Sequence, residues 1–220
     1  MMGADELIRR IKMAIYYIGG SPCSGKSTAA EAIAERYGFR YFKVDDHLDR
    51  YMQLAAEAGE PYCARIAQMS PEEIWMRDPA VQCEEELQIY REIFPYVMAE
   101  LEEAAAKGNV ITEGAALLPE LVKQMNIPRH QYLAITPVKA FQVFHYKKRE
   151  WVPYVLAECS DRERAFDNWM ERDALFARAV QRQCEGIGYA SIINDGTVLP
   201  EQMLSRVMAH FGLEMPERIK

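Results

Sequence analysis

Five short apolar runs punctuate the chain: Met13–Ile18, Tyr41–Val44, Asn109–Thr112, Tyr132–Ile135 and Ala190–Ile193. Most are nearly continuous in apolar residues, which predicts strands covered on both faces. Long stretches with helical spacing separate them. Strands alternating with helices predict an α/β fold, a parallel sheet with helices on both sides.

Helix boundaries are marked by local chemistry. Ser70-Pro71-Glu72-Glu73 places a capping Ser, a Pro at the first helical position and a Glu three after the cap. Ser160-Asp161-Arg162-Glu163 predicts a second capping box, and Thr136-Pro137 a cap followed by Pro. Gly38 and Gly108 stand where helices should stop, and the last helix should run from near Pro200 to His210 or Phe211. Residues 45–108 and 136–189 are much longer than simple crossovers need. They predict two helical excursions, over about 47–107 and about 145–172, rising above the sheet's C-terminal edge. With no repeat, linker or low-complexity tract, residues 1–220 read as one domain.

Composition narrows the class. Half the residues are hydrophobic and 27% charged, as in an ordinary globular protein. No segment approaches the length of a membrane span. Met1–Lys12 carries Asp5, Glu6, Arg9, Arg10 and Lys12 and predicts a short frayed leader helix, not a signal peptide. A net charge of −7 argues against a nucleic-acid backbone as partner. The five cysteines are odd in number, widely spaced and without a C-x-x-C pair. They read as reduced thiols in a cytoplasmic protein.

The chemistry begins after the first strand. Gly20-Ser21-Pro22-Cys23-Ser24-Gly25-Lys26-Ser27-Thr28 matches the phosphate-binding pattern G-x4-G-K-S/T at every fixed position. It lies between a predicted strand and a predicted helix, the context that this loop requires. The first turn of a helix offers unpaired N–H groups and the positive end of the dipole. The glycines let the backbone wrap phosphates, Lys26 can reach the β- and γ-phosphates, and Ser27 can ligate Mg²⁺. Thr28 can reach the α-phosphate, and Cys23 reads as a tolerated small residue.

Acids stand at two further strand ends. Asp45 and Asp46 follow the second strand, where a carboxylate could orient an acceptor hydroxyl and take its proton. Neighbours there point to opposite sides, so one of the two, Asp45 by slight preference, should face the phosphates and the other should cap the next helix. Glu113 ends the third strand and could hold a water of Mg²⁺ or bind the acceptor; Gly114 permits close approach. The second excursion carries many cations, of which Arg149 and Arg172 are best placed to clamp a transferred phosphoryl group. In the turn after the fifth strand, the backbone of Gly196 and Thr197 could hydrogen-bond a nucleotide base. Arg50, Arg65 and Arg77 could hold a phosphate on an acceptor, although no motif singles them out.

With Gly20–Thr28, Asp45-Asp46, Glu113-Gly114, a cationic stretch and Asn194–Thr197 in this order, the chain resembles the P-loop small-molecule kinases of the P-loop NTPase superfamily. That group includes nucleoside, nucleotide and shikimate-type kinases. The resemblance implies a three-layer fold with a five-stranded parallel sheet of order 2-3-1-4-5. It implies ATP with Mg²⁺ as donor, an acceptor-covering lobe over about 47–107 and a closing lid over about 145–172. It gives Lys26 and Ser27 the phosphate and Mg²⁺ roles, Asp45 or Asp46 the acceptor role, and Arg149 or Arg172 the lid role. The chain departs from the nucleotide kinases after the third strand, where Glu113-Gly114-Ala115-Ala116-Leu117 replaces Asp-Gly-Phe-Pro-Arg and has no Arg. The expected function is transfer of the γ-phosphate of ATP to a small nucleoside, nucleotide or hydroxy-metabolite. The alternative is an ATP-binding switch module with no small-molecule acceptor.

Overall fold

A computed structural model describes residues 14–213; the leader expected over Met1–Lys12 lies outside them. The first strand, β1 (Ile15–Gly20), leads through the glycine-rich turn into α1 (Lys26–Tyr37). Then come β2 (Arg40–Lys43), a 3₁₀ turn over Val44–His47, α2 (Leu48–Glu57), α3 (Pro61–Ile66), α4 (Pro71–Trp75) and the long α5 (Pro79–Ala105). The chain continues with β3 (Val110–Glu113), α6 (Pro119–Gln124), β4 (Tyr132–Pro137), α7 (Lys139–Tyr146) and the short α8 (Val152–Val155). It closes with α9 (Arg162–Ile187), β5 (Ala190–Asn194) and α10 (Pro200–Phe211).

The five strands form one parallel sheet of order β2-β3-β1-β4-β5, as expected. Alternate residues of each strand serve opposite faces. Ile18, Ile111, Leu133 and Ile135 meet Ala30 and Ile33 of α1 and Val207 and Phe211 of α10. Tyr17, Val110, Tyr132 and Ala134 meet the other layer, built from α5 and α9 through Ile93, Val97, Phe176 and Val180. The inner strands β3 and β4 are buried throughout, whereas the edge strands β2 and β5 are not.

The long helices account for the two surplus stretches. Each begins in an excursion and ends against the sheet. Tyr90 of α5 meets Phe176 of α9 edge-on with ring centroids 5.6 Å apart. Tyr146, Val152, Leu156, Trp169 and Met170 form a separate small core above the sheet, with Trp75 of α4 packed on it. The excursions are also joined by polar contacts. Ser160 donates its N–H and hydroxyl to Glu72, both at 2.7 Å, and Trp75 stacks on Trp169 at 4.5 Å.

Two helix starts differ from expectation. The Ser70–Glu73 capping box forms, but Ser160 caps nothing; Asp161 caps α9 by accepting from the Arg164 N–H at 3.0 Å. Ser160 is instead drawn away to Glu72. Thr136 does not cap a helix either. β4 runs through Pro137, and the Thr136 hydroxyl accepts from Gln181 at 2.7 Å. Among the described residues all five cysteines are free, and no helix is long and apolar enough to cross a membrane.

Candidate active site

The glycine-rich turn is built largely by backbone. Gly20 has φ +122, and a Cβ there would lie 1.9 Å from the Ile135 carbonyl oxygen, so no side chain fits. Cys23 also adopts a positive φ of 58, at the top of the turn. Burial raises its thiol pKa, with Arg149 working against the shift, which suits an inert residue better than a reactive one. Lys26 is only 5% exposed, and its ammonium donates to the Ser21 carbonyl at 2.7 Å. The buried Ser21 and Ser24 hydroxyls have no partner among the described residues.

A carboxylate faces this turn from β3. Glu113 is fully buried, and its Oε1 accepts from Ser27 Oγ at 3.0 Å and from the Tyr41 hydroxyl at 2.9 Å. Its Oε2 is buried without a partner. Burial raises the Glu113 pKa, Lys26 opposes the rise and Asp45 adds to it. An orphaned carboxylate oxygen beside a serine hydroxyl fits a hydrated Mg²⁺. Among the described residues no cluster of three or more His, Cys, Asp or Glu could hold a metal by itself. Mg²⁺ with phosphate and water ligands needs no such cluster.

The two aspartates after β2 lie in the 3₁₀ turn over Val44–His47, not on the extended backbone expected, and both are exposed. Asp46 turns outward, 61% exposed, and pairs with Lys43 at 2.7 Å. It does not cap α2, which has no side-chain cap. Asp45 turns toward β3. Gly114 makes room for it: a Cβ at Gly114 would lie 2.6 Å from Val44 Cβ and 3.2 Å from Asp45 Oδ1. The close approach that Gly114 allows is therefore to the neighbouring 3₁₀ turn.

On the opposite side of the turn lies a cavity of about 790 Å³. Residues Cys23 to Thr28 form one wall, Phe141, His145 and Arg149 another, and Asn194, Gly196 and Val198 to Glu201 a third. Asn194 joins the walls: its amide donates to the Ser24 carbonyl at 2.9 Å and accepts from the Gly196 N–H at 3.0 Å. The Phe141 ring lies against Gly196. Thr197 is not part of the lining, and its N–H and hydroxyl are both taken by Asp195, so its backbone donor is unavailable to a base.

The two arginines singled out by the sequence have different surroundings. Arg149 lines the cavity and lies over the rings of Tyr146 and Trp151 at 4.9 and 5.4 Å. No carboxylate pairs with it among the described residues. Arg172 on α9, its side chain 15% exposed, is paired with Asp173 at 2.7 Å and Glu86 at 3.4 Å, with Trp75 against it at 5.2 Å. Burial disfavours its charge, but Asp173 and Glu86 outweigh that and raise its pKa. A mobile lid cation is thus the wrong description of Arg172; it is fixed in a buried ionic cluster. Gln142 holds the second oxygen of Asp173 at 3.2 Å.

Tyr41, Phe141, Glu86 and Asp173 carried no motif in the sequence, and Asn194 stood only as the first residue of the Asn194–Thr197 turn. Glu86 and Asp173 did leave a signal. Asp173 falls on the buried stripe Ala165, Trp169, Phe176, Val180, Cys184 of α9, and Glu86 on the stripe Cys83, Tyr90, Ile93, Val97 of α5. A charge on the core-facing stripe of an amphipathic helix is costly unless paired, so it marks a partner or a site.

Comparison with known proteins gives a family and two solved structures. The family model described as isopentenyl transferase matches residues 13–194. A protein from Chloroflexus aurantiacus provisionally named a kinase superposes with a TM-score of 0.41 at 13% identity, covering 90% of this chain and 98% of that one. NadR protein in complex with NR superposes with a TM-score of 0.41 at 16% identity; 97% of this chain is covered, and it spans 55% of that chain. No curated protein sequence matches.

Proposed function

The chain belongs to the isopentenyl transferase family and is a P-loop transferase, and on that premise we propose that it moves the γ-phosphoryl group of ATP to a hydroxyl of a small-molecule acceptor. One observation carries the choice of donor. The 790 Å³ cavity opens from the phosphate-binding turn toward the turn after β5, and its lining includes none of Asp45, Glu86, Glu113 or Arg172. It is large enough for a nucleoside, within the range of about 300–1,000 Å³ common to small-molecule pockets. The nucleoside of a nucleotide donor would fill it.

The residues divide the work on this reading. The backbone from Gly20 to Thr28 and the Lys26 ammonium hold the phosphates. Bound Mg²⁺ would supply charge neutralisation at the phosphate oxygens, held by Ser27 directly and by Glu113 through water. Arg149 adds a cation beside the transferring group. The acceptor oxygen attacks the γ-phosphorus, the bond to the bridging oxygen breaks, ADP leaves with that electron pair, and the hydroxyl proton passes to Asp45. Helices α2–α4 form the acceptor lobe, and residues from about 145 to the start of α9 form the lid.

The family description favours a second reading, transfer of an isopentenyl group from its diphosphate. The same turn would hold the diphosphate, a carbon–oxygen bond would break, and pyrophosphate would leave. Products distinguish the two. The protein is incubated with ATP–Mg²⁺, and separately with a prenyl diphosphate, across nucleosides, nucleotides, sugars and hydroxy acids. ADP with a phosphorylated acceptor establishes phosphotransfer; pyrophosphate with a prenylated acceptor replaces it. Asp45→Asn should lower kcat about 10²- to 10⁴-fold with ATP affinity kept, the usual size of a lost general base. Asp46→Asn should stay near the parent. Equal activity in both variants removes Asp45 from the mechanism.

A further inference from the structure

Tyr41 on β2 reaches the phosphate-binding turn from behind. Its side chain is half-buried and packs at the margin of the core between the sheet and α1. In the sheet Tyr41 pairs with Ile111, and Glu113 stands two residues farther along β3, on the same face. A tyrosine is long enough to reach diagonally from one strand to the next. Its hydroxyl donates to Glu113 Oε1 at 2.9 Å. β2 is an edge strand, where water could satisfy such a hydroxyl; here it is committed to a carboxylate on the neighbouring inner strand.

The same Oε1 accepts from Ser27 Oγ at 3.0 Å. Two hydroxyls, from β2 and from the start of α1, thus converge on one carboxylate oxygen. The last torsion of a glutamate is broad and roughly two-fold, so a carboxylate held by a single bond can swing. A second donor on that oxygen fixes which oxygen Ser27 meets. The consequence falls on Ser27, which lines the 790 Å³ cavity. A serine hydroxyl has one hydrogen and two lone pairs. With the hydrogen given to Glu113, the lone pairs turn away from the carboxylate, as ligation of a cation requires. A hydrogen free to rotate could face the cation instead and oppose it.

We infer that Tyr41 is a positioning residue for the metal end of the site: by fixing Glu113 it holds the Ser27 hydroxyl with its lone pairs free for Mg²⁺. This rests on the Mg²⁺ placement in the proposed function and holds whether a phosphoryl or a prenyl group is transferred. Tyr41 acts only through Glu113 and Ser27.

The test measures metal binding and not turnover. Mn²⁺ stands in for Mg²⁺, and its electron paramagnetic resonance signal counts free ion in the presence of ADP and an excess of the full chain. Parallel titrations with ADP and a chelator give the affinity for nucleotide without metal. Tyr41→Phe removes the hydroxyl and keeps the ring against the core. It should weaken Mn²⁺ binding about tenfold, the lower end for a group behind the direct ligands, with metal-free ADP affinity unchanged. With Glu113→Ala already in place, Tyr41→Phe should weaken Mn²⁺ no further, because residues that act through one another are not additive. Unchanged Mn²⁺ affinity in folded Tyr41→Phe overturns the inference, as does a full tenfold loss in the Glu113→Ala background. A matching loss of metal-free ADP affinity overturns it too, since general damage to the turn would produce that. Failure of the parent chain to bind Mn²⁺ with ADP overturns the Mg²⁺ placement itself. Tyr41→Met keeps an apolar side chain at the same place and serves the same comparison should Tyr41→Phe not fold.

Discussion

On the proposed reading, the donor side and the acceptor side of the cleft are made in different ways. The donor side is mostly backbone. One continuous turn supplies the phosphate cradle, and one amide, Asn194, ties it to the loop after β5. The acceptor side is mostly side chains, brought together from the end of β2, the start of α5, α4 and the middle of α9. Arg149 and Arg172 show the contrast in miniature. The first rests on aromatic rings at the edge of an open cavity; the second is locked between two carboxylates. A site built on backbone tolerates loss of side chains that are not themselves reactive. A site built on a buried ionic cluster does not.

The largest effect should come from breaking that cluster. Arg172→Ala leaves Asp173 and Glu86 buried without their cation and should cost about 3–5 kcal/mol of stability. Arg149→Ala should leave stability within about 1 kcal/mol of the parent but lower kcat about 10²-fold. Denaturant unfolding and steady-state rates on the two variants measure both. Similar stability losses in the two would erase the distinction.

A smaller effect should follow on the donor side. Asn194→Ala strands the Ser24 carbonyl and the Gly196 N–H. It should raise the KM for ATP by about 5- to 150-fold, from an expected loss of about 1–3 kcal/mol, with the acceptor KM little changed. A larger change in acceptor KM than in ATP KM would show that the two sides are not separable.

The smallest effect expected is the pH dependence contributed by two buried carboxylates, Glu86 and Glu113. Burial raises the pKa of Glu86, with Arg172 restraining the rise, and burial likewise raises that of Glu113. The folded protein then holds protons that the unfolded chain has released above the ordinary value of 4.5. The stability these groups contribute is complete below that value and is lost as pH rises through their folded values. Urea unfolding at acidic and at alkaline pH should show the decline, and Glu86→Gln should lessen it. A slope unaffected by that substitution would place the titration elsewhere.

Much of the donor side could be read from sequence because its determinants are local. The phosphate-binding pattern, the strand before it and the helix after it are contiguous. The Ser70 capping box and the start of α10 at Pro200 are likewise set within a few residues. The expected cap at Ser160 failed for a tertiary reason. Glu72, far away in the chain, competes for its hydroxyl and N–H, and Asp161 next to it takes over the cap. Arg172 was visible as a cation but not as a buried one. Its state depends on Glu86, which only the pairing of α5 with α9 brings near. Asp45 and Asp46 were legible as a pair, but not for the strand geometry expected to split them: both lie in the 3₁₀ turn over Val44–His47. Gly114, just past β3, leaves room beside the Asp45 carboxylate.

Gly20 changes how the signature itself should be weighed. The Ile135 carbonyl on β4 forbids a side chain at Gly20 whether or not a phosphate is present. That glycine is therefore held in place by the sheet, and a descendant that had ceased to bind nucleotides would still be under pressure to keep it. Lys26 hydrogen-bonds within the turn, to the Ser21 carbonyl, and not to the sheet. In a survey of related chains, drift at Lys26 behind an unchanged Gly20 would be the trace of a retired enzyme.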